Sequence, residues 1–129
     1  MSEKYTLTPV EFELMEILWK IKQGTVRDVM AHLPKNRELA YTSVSTILRI
    51  LQQKKIIAAE KISGRQHIYI PSLDKNKFAT HSINKMVSQV FAGNSVEMVA
   101  HLMNKNDLTH DDLNAIQKLL DARKKEVVS

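Results

Sequence analysis

At residue 56 the apolar pattern of this sequence changes period, and that change restricts the fold more than any other feature. Before it, three short segments place apolar side chains at helical spacing, the first two closed by Gly24 and Pro34. After it, two short runs alternate about a glycine turn, and helical spacing then resumes. A chain punctuated this way builds a helical cluster, a small hairpin and further helices. Three Gly and three Pro in 129 residues are too few for a turn-rich sandwich, and 5% aromatic residues leave a core of Leu, Ile, Val and Met.

Thr8-Pro9-Val10-Glu11 has the form of a capping box with Pro in the first turn, and predicts a helix over 9–22. Gly24 is expected to end it, and Trp19 to anchor it in the core. Thr25 with Asp28 predicts a second, short helix whose face is Val26, Val29, Met30 and Leu33, stopped by Pro34. A third helix over 41–54 places Val44, Ile47, Leu48 and Leu51 inward and Thr42, Ser45, Thr46 and Arg49 outward, with Tyr41 and Ser43 at its start. Residues 56–61 and 66–70 then read as two strands about Ser63-Gly64-Arg65, ended by Pro71. Beyond Pro71 a helix over 75–91 is broken by Gly93. Asn94 with Glu97, and Thr109 with Asp112, are expected to cap two more.

Helices, hairpin and order together are those of a winged helix-turn-helix: a mainly α fold with a small antiparallel β wing, an α+β arrangement. The expected division is a DNA-binding domain over 1–74 and a helical subdomain over 75–129. The outer face of the third helix is free to enter a major groove, which is wide enough for a helix. Charge supports this. The formal charge is −1 over residues 1–34, +5 over 35–71 and +1 over 72–129, so the positive excess falls on the third helix, its approach and the hairpin. Tyr41, Thr42, Ser43, Ser45 and Thr46 are the expected contacts along the helix, with Arg49 the long donor suited to a guanine. Lys54, Lys55, Lys61 and Arg65 are expected to meet phosphates.

Other chemistries find little support. The chain has no cysteine, which excludes disulfides and thiolate metal sites. His32, His67, His81, His101 and His110 show no ligand spacing, His81 reads as a solvated helix position, and no metal or other cofactor is expected. No phosphate loop or nucleophile elbow is present, so an enzyme is not expected. Glu11, Glu13 and Glu16 read as helix-dipole and solubility charges. Met15, Met30, Met86, Met98 and Met103 read as core filler. No apolar run is long enough to span a bilayer and Met1-Ser2-Glu3-Lys4 is polar, from which a cytoplasmic protein with no membrane insertion is expected.

Leu7-Thr8-Pro9-Val10-Glu11-Phe12-Glu13-Leu14-Met15-Glu16-Ile17-Leu18-Trp19, then Thr25-Val26-Arg27-Asp28-Val29 and Ala40-Tyr41-Thr42-Ser43-Val44-Ser45-Thr46-Ile47-Leu48-Arg49, resemble the BlaI/MecI/CopY family of bacterial repressors. Gly64-Arg65 with Tyr69 and Pro71, Phe91-Ala92-Gly93-Asn94 and Leu108-Thr109 continue the resemblance over nearly the whole chain. It implies a homodimer that represses transcription from a dyad-symmetric double-stranded DNA operator, with resistance to β-lactam antibiotics as the best-known output. It also implies interlocked C-terminal helices. The expected dimer residues are Phe78, Ile83, Met86, Val87, Val90 and Phe91 on the first of these helices, Val99, Leu102 and Met103 on the second, and Leu113, Ile116, Leu119 and Leu120 on the third. This agrees with the apolar stripes of residues 75–129, which make a poor core alone; the alternative is that they fold back on the N-terminal half.

In the penicillin-responsive members a membrane sensor protease triggers cleavage in the C-terminal half. The corresponding bond here is His101-Leu102, where those members have Asn-Phe. The cysteine motif of the copper-responsive members is absent, and His67 stands where the family's wing often has Tyr. Two alternatives stay open: release by a small ligand bound between wing and dimer helices, and a winged helix that binds a partner protein without specific DNA binding.

Overall fold

Thr8 sets the start of the first helix. Its hydroxyl accepts from the Glu11 N–H at 3.1 Å, and the Glu11 carboxylate accepts from the Thr8 N–H at 2.9 Å. This reciprocal cap fixes the beginning of α1 (Pro9–Ile21). Thr25 and Asp28 repeat the device for α2 (Val26–Ala31), and α3 spans Tyr41–Gln53. The computed structural model describes residues 6–128; Met1-Ser2-Glu3-Lys4 therefore lie outside the described residues.

The end of α1 departs from expectation. Lys22, with φ of 77°, takes the left-handed position and donates its N–H to Leu18. Gly24 has another task. It exchanges backbone hydrogen bonds with Tyr69, at 3.1 and 2.8 Å, in an isolated antiparallel bridge. A Cβ at Gly24 would stand 2.9 Å from both Asp28 Cβ and Ile21 Cδ1, so the close approach requires glycine.

Strands β1 (Ile57–Ser63) and β2 (Gln66–Pro71) form the two-stranded antiparallel wing, with Ile57 opposite Pro71 and Ala59 opposite Tyr69. The register shifts between Lys61 and Ser63, ahead of the turn at Gly64, whose φ of 53° suits glycine. The core lies where α1, α2 and α3 meet the wing's root. Leu14, Leu18, Val29, Val44, Leu48 and Leu51 are fully buried, joined by Ile56 and Tyr69. The inward stripe of α3 is the one its spacing predicts.

Trp19 anchors α1 as expected, and its indole N–H donates to the Leu73 carbonyl at 2.8 Å. Its ring stands 5.9 Å from that of Phe12 and 5.6 Å from that of Phe78. Phe78 belongs to α4 (Lys75–Val90) and packs against the core. Within the single chain this aromatic cluster holds Phe78, a residue expected at the dimer interface. The first compact unit of the chain ends at Met86 and the second begins at Val87, where the sequence reading divides the chain at 74.

The second unit holds the end of α4, α5 (Ser95–Met103) and α6 (His110–Val128). Asn94 accepts from the Glu97 N–H at 3.0 Å, and Thr109 with Asp112 forms a reciprocal pair at 3.0 Å, as their spacing predicts. No side chain of α4, α5 or α6 is fully buried in the single chain. Met86 and Met103 are exposed, which corrects their reading as core filler. Met15 is buried, while Met30 and Met98 are half-buried. His81 is half-buried on α4 and is not the solvated position expected.

Candidate nucleic-acid interface

The periodicity that buries Val44, Leu48 and Leu51 turns the rest of α3 outward. Thr42, Ser43, Thr46 and Arg49 are exposed along it, Ser45 is half-buried, and Tyr41 is exposed at its start. Tyr41, Ser45, Arg49 and Gln52 form one wall of a cleft of about 270 Å³. Arg65, Gln66, His67 and Tyr69 of the wing line it as well, together with the cap Thr25 and with Val26 and Arg27 of α2. The structure thus brings Tyr41, Ser45, Arg49 and Arg65 together. Thr42, Ser43 and Thr46 lie on α3 outside this cleft.

The chain has five arginines. Arg37 is paired with Glu13 at 3.0 Å and Arg123 with Glu126 at 3.0 Å. The three that line the cleft, Arg27, Arg49 and Arg65, have no ion pair among the described residues. No carboxylate lines the cleft, so its charge is left for an anion from outside. Arg27 is fixed in another way: its guanidinium carbon lies 5.1 Å from the centroid of the Tyr41 ring. At the wing, His67 Nδ1 lies 3.1 Å from the Arg65 carbonyl oxygen and closes the turn when it carries the proton.

The lysines divide. Lys61 is exposed on β1 opposite His67. Lys55 is exposed just past α3, with φ of 65°. Lys54 is engaged within the chain, and its contacts there compete with the expected phosphate contact. Its ammonium donates to both oxygens of Glu11, at 2.8 and 3.0 Å, and to the Thr6 carbonyl at 3.2 Å. Glu11 is only 5% exposed, so its reading as a solvated helix charge is corrected. Burial by itself raises the Glu11 carboxyl. The hydrogen bonds from Lys54 and from the Thr8 N–H, with the Lys54 charge, outweigh it and hold the pKa below the ordinary value.

Arg27, Gln52, Gln66 and His67 were not among the expected contacts. Arg27 lies on the outer face of α2, away from Val26 and Val29. Gln52 follows Arg49 by three residues and Ser45 by seven, so helical spacing alone places it on the same wall.

Among the C-terminal residues, Ile83, Met86, Val90, Val99, Leu102, Met103, Leu113, Leu119 and Leu120 are exposed. Val87, Phe91 and Ile116 are half-buried. His101-Leu102 lies inside α5, with the His101 ring 5.2 Å from that of Phe91. Among the described residues no three His, Asp or Glu side chains converge to hold a metal, and no helix is long and apolar enough to cross a membrane.

Three helices, a wing and a carboxylate-free basic cleft between them define a winged-helix DNA-binding protein. The profile of the penicillinase repressor family matches residues 7–122, and the chain belongs to that family of transcriptional repressors. It is 23% identical to the penicillinase repressor of Bacillus licheniformis over 118 residues, 92% of this chain and 91% of that one. It is 18% identical to the methicillin resistance regulatory protein MecI of Mammaliicoccus sciuri over 122 residues, 95% and 98% of the two chains. Among solved structures, that of the CopR repressor has 26% identity and a TM-score of 0.44, covering 54% of this chain and 99% of that one.

Proposed function

We propose that the protein is a bacterial repressor that binds a dyad-symmetric operator as a homodimer in the cytoplasm. The observation that carries this reading is the convergence of Arg49 from α3 and Arg65 from the wing on one cleft without a carboxylate. In this reading α3 enters the major groove with Thr42, Ser43, Ser45, Thr46 and Arg49 toward the bases, and Tyr41 at the entry. Lys55, Lys61 and Arg65 meet phosphates. The DNA-binding function resides in α1, α2, α3 and the wing, and the exposed apolar side chains of α4, α5 and α6 supply the dimer contacts. A helical unit with no buried side chain gains about 1.5–3 kcal/mol for each large aliphatic side chain that a second copy covers. This supports the dimer.

Release by proteolysis, triggered by a membrane sensor, and control of β-lactam resistance genes are the family-like outcome. The replacement of Asn-Phe by His101-Leu102, inside a helical turn, favours a second reading, release by a small ligand without cleavage. An intact chain in induced cells supports the ligand, and a truncated chain supports cleavage.

The test of the main reading is selection from a random duplex pool at physiological salt, with sequencing of the bound fraction. An enriched inverted repeat is expected. Binding without sequence preference, or none, moves the protein to the partner-binding reading.

A further inference from the structure

We infer that Arg27 is a DNA-phosphate contact and that the Tyr41 ring is the platform that holds it, so that the DNA footprint extends from α3 and the wing onto α2. The inference rests on the duplex-binding reading above and adds a residue and a role to it. Arg27 lies in the first turn of α2, two residues after the cap Thr25, and lines the same cleft as Arg49 and Arg65.

Two arginines of this chain are held by carboxylates; Arg27 is held by a ring, 5.1 Å from its centroid. The difference matters chemically. A carboxylate neutralises a guanidinium and occupies its N–H donors. An aromatic face holds the flat side of the group and leaves all its edge donors and its full charge free for a phosphate. A long exposed side chain otherwise loses rotamer freedom when it binds. The ring restricts it beforehand. Tyr41 stands at the first position of α3, so the platform moves with the recognition helix, and the guanidinium is aligned with whatever that helix reads. Tyr41 is thus a positioning residue, and Arg27 touches the ligand.

The test is the salt dependence of binding to a mixed-sequence duplex, because phosphate contacts do not depend on base sequence. Arg27→Ala is expected to reduce the slope of log K against log salt by about 0.9 per bound chain, with an unchanged thermal melt. Lys20→Ala removes an equal charge outside the cleft and is expected to leave the slope alone. An unchanged slope for Arg27→Ala, or an equal fall for Lys20→Ala, overturns the inference while the duplex-binding reading stands. A wild-type chain that binds no duplex overturns both. Tyr41→Ala is expected to weaken binding in the wild-type background and to have little further effect beside Arg27→Ala. Fully additive losses overturn the platform role.

Discussion

Lys54 Nζ lies 2.8 Å from Glu11 Oε1 and ties the end of α3 to the beginning of α1. A cation expected at the DNA surface thereby orients the recognition helix from within. Lys54→Met leaves a buried carboxylate without its cation, and is expected to cost about 1–3 kcal/mol in urea unfolding. The salt slope of DNA binding, by contrast, should match that of the wild type.

The same pair sets an acid limit. The Glu11 carboxyl is held below its ordinary value of 4.5 in the folded chain. A carboxylate whose folded pKa is depressed stabilises the fold fully above its unfolded value. That contribution is lost as pH falls through the folded one. Unfolding free energy measured from pH 6 downward should therefore drop below about pH 4.5, and Glu11→Gln should flatten that limb.

Gly24→Ala is expected to destabilise by about 1–3 kcal/mol, because a methyl group there meets Asp28 Cβ and Ile21 Cδ1 at 2.9 Å. One of these atoms sits directly on α2, so the strain reaches the helix cap. A lowered Tm in a thermal melt checks it. A melt equal to the wild type would show that the α1–α2 loop yields.

Most of the first compact unit was legible from local signals. Thr8 with Glu11 and Thr25 with Asp28 announce two helix starts within four residues each, and Val44, Leu48 and Leu51 announce the inner face of α3. Contacts distant in sequence were not legible. Glu11 and Lys54 are 43 residues apart, and the capping box already accounts for a carboxylate at position 11. Phe78 shows the same limit, since its helical stripe is equally suited to a partner chain and to Trp19. Of the cleft, Tyr41, Ser45, Arg49 and Arg65 were legible from charge and periodicity. Arg27 was not, because only the folded chain brings α2 beside Tyr41.

Arg49→Ala is expected to cost about 1–3 kcal/mol in binding to the enriched duplex and to relax preference at one base pair per half-site. Competition between the enriched duplex and single-base variants measures both. Equal loss on every variant would make Arg49 a phosphate contact instead of a base contact.

Leu113→Glu with Leu120→Glu places charge on the apolar face of α6 and is expected to shift the chain from dimer to monomer in sedimentation equilibrium. Affinity for the full inverted repeat should fall toward that for a half-site. The melt of the first compact unit should change little, since neither residue contributes to its core.

The bridge between Gly24 and Tyr69 is made by main-chain atoms on both sides. It clamps the wing near its base, so residues 63–66 stand out as a cantilever whose position is set at its fixed end. Side chains on such a tip can be exchanged without moving it. What the tip touches can then change while where it reaches stays constant, because the anchor is main chain and owes nothing to the side chains it carries outward.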